Sequence, residues 1–197
     1  MNKIILASSS PRRKILLSAL LNNFGLKFII KPANIAEYLE KPVNNFSDYV
    51  SNLAKKKALE VAKKSDGVII AADTIVVYKN KILGKPGNSE DANRMLMLLS
   101  NKWHKVYTGI FIMHSGKLRK QYSEYEVTKV KFRKLSVNEI KFYIKSGSPF
   151  DKAGSYGIQD DFGSTFIERI EGDYFNVVGL PLMKTYFGLK KFLNINL

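Results

Sequence analysis

Ile4-Ile5-Leu6-Ala7-Ser8-Ser9-Ser10-Pro11-Arg12-Arg13-Lys14-Ile15-Leu16-Leu17-Ser18-Ala19-Leu20 stands at the head of the chain and changes character twice. The apolar residues at its start predict a strand, the serines a loop, and the remainder a helix. Ser10 is a favoured N-cap, and Pro11 suits the first helical position, where the N–H that proline lacks would have no partner. Ile15, Leu16, Ala19 and Leu20 then recur at helical spacing. A helix start leaves backbone N–H groups without intrahelical partners. Here they stand beside three hydroxyls and two guanidinium groups, a corner suited to an anion such as phosphate. The plainer reading is an ordinary cap followed by two solvated arginines. Against it, the helix macrodipole is positive at this end, so bases there cost stability unless an anion joins them.

Outward from this segment, Phe28-Ile29-Ile30 predicts a second strand, and residues 31–45, with two prolines and Glu37, a loop. From Ser47, a good N-cap, Val50, Leu53, Ala54, Ala58, Val61 and Ala62 recur at helical spacing. Lys57 falls inside that apolar stripe, whereas Lys55, Lys56 and Lys63 fall outside it. A lysine so placed either snorkels to water or meets an anion. Val68-Ile69-Ile70-Ala71-Ala72-Asp73-Thr74-Ile75-Val76-Val77 has the continuous apolar character of a strand covered on both faces, interrupted by Asp73. Either the strand ends at Ala72 and Asp73 caps a turn, or a carboxylate is taken out of water. The second is costly unless the group is paired, hydrogen-bonded or metal-bound.

Gly84-Lys85-Pro86-Gly87 predicts a tight turn that projects Lys85, ahead of a helix over Ser89 to Leu99. Val106 to Met113 and Tyr122 to Phe132 read as strands joined by a hairpin at His114-Ser115-Gly116-Lys117, with His104 and His114 as surface or hairpin residues. Ser136-Val137-Asn138-Glu139 is a capping box, with Leu135 and Ile140 as its hydrophobic staple, so a helix runs from there to Lys145. Residues 148–159 mix turn formers with unlike charges and fit neither period; irregular segments of that length in a compact domain commonly carry function. Thr165 to Ile170 predicts a strand, Glu171-Gly172-Asp173 a turn, and Gly179-Leu180-Pro181 the opening of a last helix.

At 197 residues the chain suits one domain, spanning 1–197. With 45% hydrophobic and 25% charged residues it has the composition of a folded globular protein rather than a disordered one. The absence of cysteine excludes disulfides, thiolate metal sites and cysteine nucleophiles, and two histidines make an imidazole zinc site a poor expectation, so a metal here would be held by oxygen. No apolar run reaches the roughly 18 residues that cross a bilayer, and the start lacks a secretory signal pattern. The expectation is a cytoplasmic protein with no membrane partner. A net charge of +15 invites a nucleic-acid reading, but 26 of the 32 basic residues are lysines spread over the whole chain, and no nucleic-acid-binding motif accompanies them. No nucleic-acid partner is expected, although the charge would draw in a small polyanion.

Taken together, Leu6-Ala7-Ser8-Ser9-Ser10-Pro11-Arg12-Arg13, Ala72-Asp73-Thr74, Leu83-Gly84-Lys85-Pro86, Tyr107-Thr108-Gly109, Asp151-Lys152-Ala153-Gly154 followed by Tyr156-Gly157-Ile158-Gln159, and Gly172-Asp173-Tyr174 leading into Val178-Gly179-Leu180-Pro181 carry a resemblance. In this order they resemble the Maf family of nucleoside triphosphate pyrophosphatases almost end to end. The resemblance implies an α/β fold with a long, curved mixed β-sheet flanked by helices, in two lobes around a deep cleft, related to inosine triphosphate pyrophosphatases. It implies that a nucleoside triphosphate and water give the monophosphate and pyrophosphate, with Mg2+ or Mn2+ as the metal. A homodimer is a further implication, with apolar residues near Tyr186-Phe187 offering a two-fold contact.

Carried over residue by residue, the resemblance makes Asp73 the catalytic carboxylate and Glu37 a second acid, both as metal ligands. Arg12, Arg13, Lys57 and Lys85 match phosphate-facing bases, Ser8 and Ser10 fall in the loop that touches phosphate, and Asp151 and Lys152 match substrate-binding positions. Arg12, Thr74 and Gln159 match the members that act on dTTP and UTP, whereas the 7-methyl-GTP group has other residues, including Trp at the first of these. A pyrimidine imide offers a donor between two acceptors, which the Gln159 amide can read. Asp160-Asp161-Phe162-Gly163 departs from the resemblance: it stands where the family has a glycine-rich turn and is one residue longer. Two alternatives stand beside the dTTP/UTP reading: a 7-methyl-GTP pyrophosphatase, and a non-catalytic nucleotide- or nucleic-acid-binding regulator of cell division.

Overall fold

The computed structural model of the protein describes residues 3–35, 43–160 and 162–193. Strands and helices follow in the order β1 (Ile4–Leu6), α1 (Pro11–Asn22), β2 (Phe28–Ile30), α2 (Phe46–Ala62), β3 (Val68–Tyr78), β4 (Lys81–Leu83), α3 (Ser89–Leu99), β5 (Trp103–His114), β6 (Lys117–Phe132), α4 (Val137–Lys145), β7 (Ile167–Glu171), α5 (Tyr174–Val178) and α6 (Leu182–Lys190). The strands form one mixed sheet in the order β2-β1-β3-β5-β6-β7, with β4 paired to β3. β1 runs parallel to both β2 and β3, while β4 is antiparallel to β3 and β7 to β6. The fold is mixed α/β, with helices flanking the sheet. No described helix is long and apolar enough to cross a membrane.

The chain forms two compact units. The first holds the described residues up to Asp73, those of Thr108–Glu126 and those from Gly179 onward; the second holds Thr74–Tyr107 and Val127–Val178. β3, β5 and β6 each contribute residues to both.

In the first unit the strand period sorts side chains to two apolar layers. Ile4 and Leu6 of β1, Val68, Ile70 and Ala72 of β3, and Ile110 and Ile112 of β5 pack with Leu17 and Leu21 of α1 and Leu189 of α6. The intervening residues, Ile5, Ala7, Ile69, Ala71, Phe111 and Met113, pack instead with Ala54, Ala58 and Val61 of α2. Covering both faces is why β1 and β3 read as unbroken apolar runs. In the second layer Ala54 and Ala58 of α2 face a sheet surface that includes Ala7 and Ala71, which lets α2 lie close to it. Gly109 of β5 completes this approach: a Cβ there would stand 2.4 Å from the carbonyl carbon of Val50, inside any permitted contact.

The second unit has its own core, in which Val76, Leu83, Leu96, Leu99, Val130, Phe132, Ile140, Tyr143, Tyr156 and Phe166 meet. α4 begins with the expected capping box: Ser136 N–H donates to Glu139 Oε2 at 2.7 Å and Glu139 N–H to Ser136 Oγ at 3.3 Å. The staple residues Leu135 and Ile140 are both in that core.

The structure departs from the sequence reading in several places, among them α5 and the longer β5 and β6. α2 is capped by Asn45, whose side chain accepts from the N–H groups of Ser47 and Asp48, rather than by Ser47. β4 has no counterpart in the sequence reading; it follows a two-residue turn in which Lys79 and Asn80 both have positive φ, of 47° and 58°, the geometry that matches strand twist in a tight hairpin. Thr165 lies outside β7, because its N–H and hydroxyl both donate to Phe162 O, closing a 3-10 turn over Gly163–Phe166 that delays the strand. His104 is 3% exposed rather than at the surface, since β5 begins at Trp103 and places His104 among its buried side chains. Burial pushes its pKa down to about 3, and its Nε2 lies 2.7 Å from the Tyr156 hydroxyl.

Candidate active site

Where β1 ends, the chain does as its sequence requires. Ser10 caps α1 by accepting from Arg13 N–H, with Pro11 in the first turn. Ser8 Oγ accepts from the Ser10 backbone N–H and from Arg13 Nη1, each at 3.2 Å, so its lone pairs are engaged and its proton is left to donate. Arg13 Nε donates to Gly179 O at 2.9 Å, which ties this loop to the turn before α6. Arg13 is therefore partly a structural residue. Arg12 is half-buried beside it.

Asp73 lies within β3, not at its end, and is 5% exposed. The two-residue period carries Asp73 to the same face as Ile69 and Ala71, the face that α2 covers. On α2, the buried stripe Leu53, Ala54, Lys57, Ala58 and Val61 turns Lys57 toward that face. The two periods meet in an ion pair: Lys57 Nζ donates to Asp73 Oδ1 at 2.5 Å, with both side chains about nine-tenths buried. Lys57 does not snorkel; it supplies the counter-charge that makes a buried carboxylate tenable. The register of β1 on β3, Ile4 with Val68 through Leu6 with Ile70, continues to bring Ser8 level with Ala72, just past the carboxyl end of β1, while β3 runs on to Tyr78. Ligands of parallel sheets bind at the carboxyl ends of strands. Ser8, Ser10, Arg12, Arg13, Lys57 and Asp73 all belong to the first unit.

The other expected residues belong to the second unit. Thr74 is half-buried, and Lys85 is exposed in the turn after β4. Gly154, at φ +69°, donates its N–H to Gly84 O at 3.0 Å and lies so close to Val76 that a Cβ would stand 2.9 Å from it, which fixes the irregular 148–159 segment onto β3 and the Lys85 turn. In that segment the Lys152 ammonium meets Ser148 O at 2.6 Å, Asp151 Oδ1 at 2.7 Å, and Ser148 Oγ and Asp160 Oδ2 at 3.2 Å. With its donors so engaged, Lys152 organises the loop. Gln159 Nε2 donates to Asp160 Oδ1 at 3.2 Å, and Gln159 Oε1 is buried with no hydrogen-bond partner among the described residues. Glu37 lies outside the described residues.

Sequence reasoning missed Asp160 as an organiser. Its carboxylate accepts from Tyr143, Ser148 and Gln159 and pairs ionically with Lys152. The available signal was the Asp160-Asp161 pair directly after Gln159.

The sequence matches the family described as Maf-like protein over residues 3–192. It is 47% identical over 201 residues to a dTTP/UTP pyrophosphatase of Clostridium tetani, with 98% of each chain covered. It is 47% identical over 193 residues to one of Bacillus cereus, with 98% of this chain and 96% of the other covered. Among solved structures, a HAM1 protein from Coxiella burnetii is similar in fold, with a TM-score of 0.51 at 18% identity, over 67% of this chain and 73% of that one. A match across nearly every described residue, with near-half identity to full-length relatives, establishes kinship: the chain belongs to the Maf family.

Proposed function

We propose that the protein is a nucleoside triphosphate pyrophosphatase that hydrolyses dTTP and UTP to the nucleoside monophosphate and pyrophosphate. The observation that carries this reading is Asp73, a carboxylate kept buried inside β3, close to where its parallel partner β1 ends, and balanced by Lys57. A core that needed only stability would place an apolar residue there. Near-half identity over the whole chain to proteins named dTTP/UTP pyrophosphatase supports the substrate class.

Water attacks the α-phosphorus, and Asp73 orients it and accepts its proton. A P–O bond forms to the water oxygen as the bond to the β-phosphate oxygen breaks, and the electron pair leaves with pyrophosphate. Ser8 and Ser10 donate to phosphate oxygens, while Arg12, Arg13 and Lys85 offset the charge that grows on the leaving group. Lys57 holds Asp73 in place and keeps a cation beside the reacting phosphate. Thr74, Asp151, Lys152 and Gln159 serve the substrate end that distinguishes one nucleotide from another.

The donor chemistry fits Mg2+ or Mn2+. Asp73 is a hard oxygen donor, and such cations are commonly held by one or two carboxylates together with substrate phosphates rather than by an all-protein cage. Among the described residues no group of three or more acids or imidazoles forms such a cage. Asp73 and Glu37 would hold the ion, which when bound withdraws electron density from the phosphoryl oxygens. Nucleoside triphosphates are cytoplasmic compounds, and that is the compartment this reading assigns.

The test is pyrophosphate release by purified protein from dTTP, UTP, CTP and 7-methyl-GTP. The expected outcome is turnover of dTTP and UTP, with Asp73→Asn slowing kcat by about 10²–10⁴-fold while nucleotide binding persists. Equal rates for wild type and Asp73→Asn would remove Asp73 from the chemistry, and preference for 7-methyl-GTP would overturn the substrate class.

A further inference from the structure

Gln159 is a reader whose orientation is imposed by its neighbour. An ionised carboxylate only accepts hydrogen bonds, so the Gln159 atom 3.2 Å from Asp160 Oδ1 must be the amide nitrogen; the flipped amide would set oxygen against oxygen. Asp160 is itself restrained. Its Oδ2 accepts from the Tyr143 hydroxyl at 2.7 Å and from the Ser148 hydroxyl at 2.6 Å, and it forms an ion pair with the Lys152 ammonium at 3.2 Å. These donors come from α4 and from the irregular segment that follows it. The carboxylate also folds back over Gly157, where a Cβ would stand 2.6 Å from it, so that glycine leaves the room Asp160 occupies.

With the nitrogen end of the Gln159 amide tied down, its oxygen end is an acceptor. That Oε1 is shielded from water and has no partner among the described residues, while the residue as a whole is partly exposed. A buried carbonyl oxygen without a donor is costly, so the site is built at the expense of a hydrogen bond that something else must complete. The imide N3–H of uracil and thymine is such a donor. Cytosine presents a bare acceptor nitrogen at the same place and would set acceptor against acceptor. A base that donates to Oε1 must displace the groups that cover it.

We infer that Asp160 is a positioning residue: by fixing the Gln159 amide with its oxygen as the unpaired acceptor, it selects bases that carry an N–H at position 3 and rejects cytosine. The inference rests on the proposed pyrimidine triphosphate activity and deepens it. Asp160 touches no reacting atom. It acts through Gln159, in the segment where this chain departs from the pattern of the family it resembles.

The experiment compares kcat/KM for UTP and CTP in wild type, Asp160→Asn, Gln159→Ala and the double variant. Asparagine is isosteric and can donate, so it lets the Gln159 amide flip and offer its N–H2 to cytosine. The expected result is a UTP-to-CTP preference narrowed by about tenfold in Asp160→Asn, carried mainly by KM. In the Gln159→Ala background the same change should leave the ratio where Gln159→Ala put it. If Asp160→Asn does not fold, Ser148→Ala removes the 2.6 Å donor to Asp160 without touching Gln159 and should narrow the ratio in the same direction. An unchanged UTP-to-CTP ratio in a folded, active Asp160 or Ser148 variant overturns the inference and leaves the pyrophosphatase reading intact. Absence of pyrophosphate release from wild type with UTP and dTTP overturns both. A uniform loss on both substrates would assign Asp160 a structural role only and also overturns the inference.

Discussion

A lysine and an aspartate that share one buried hydrogen bond depend on each other. Lys57 and Asp73 are about nine-tenths buried, so neither is adequately solvated when the other is removed. Lys57→Met keeps the stem volume and deletes the charge, so the buried Asp73 carboxylate loses its Lys57 counter-charge. The expected cost is about 3–5 kcal/mol, measured as a shift of the urea midpoint at unchanged m-value. Adding Asp73→Asn should return most of that loss, because the buried carboxylate that lost the Lys57 counter-charge is then neutral. A Lys57→Met protein as stable as wild type would mean that Asp73 draws its support from elsewhere. The residue scale is also where sequence reading reached furthest and stopped most sharply. Lys57 and Asp73 were each legible as anomalies of their own elements, because a charge in an apolar period stands out. Their pairing was not legible, since it depends on α2 lying across β3, which no local pattern specifies.

At the scale of elements, the tight seat of α2 on the sheet decides whether Lys57 reaches Asp73 at all. Ala54 and Ala58 on the helix and Ala7 and Ala71 on the strands keep the layer thin, and Gly109 admits the helix backbone at Val50. Gly109→Ala would place a methyl 2.4 Å from the Val50 carbonyl carbon, and backbone cannot yield as a flexible side chain can. The expected loss is about 1–3 kcal/mol in unfolding free energy, with reduced turnover as Lys57 is pushed off Asp73. Gly84→Ala is the control: nothing lies within 4 Å of its added Cβ, so stability should stay within about 0.5 kcal/mol. If both variants lost stability equally, close packing would not be what Gly109 provides. The Tyr107-Thr108-Gly109 motif thus has a packing explanation at its glycine. Long elements were legible because apolar period and capping agree, as at α4, where Ser136 and Glu139 announce the helix. β4 was not, since three residues carry no period and Lys79 gives no sign of its positive φ. The 148–159 segment was legible as irregular but not in its detail, nor was the 3-10 turn over Gly163–Phe166. Their form is set by side chains that close on one another at a distance in sequence, among them Asp160 with Tyr143 and Arg133 with Thr165 O.

For the molecule as a whole, a net charge of +15 is too large to be indifferent to a substrate that carries about four negative charges. Lysines spread over the entire surface create a field that attracts any polyanion, whereas the residues expected to grip phosphate are few and partly buried. The two contributions separate by ionic strength, because the spread field is screened over roughly 10 Å at 0.1 M salt and a buried pair such as Lys57–Asp73 is screened much less. Raising KCl from about 0.05 to about 0.5 M should therefore lower kcat/KM for UTP several-fold through KM, with kcat nearly unchanged. Initial rates of pyrophosphate release across that range measure both terms. The same experiment weighs the regulator alternative: a protein whose charge serves a nucleic acid would be inhibited by duplex DNA at low salt and released as salt rises, along a steep logarithmic slope. DNA is expected to compete only weakly at about 0.15 M salt, since the basic residues follow no single face in the sequence and form no stripe along one helix. A kcat/KM that ignored salt while DNA inhibited strongly would reverse the assignment, giving the charge to a nucleic acid and leaving the nucleotide to be held by the buried residues alone.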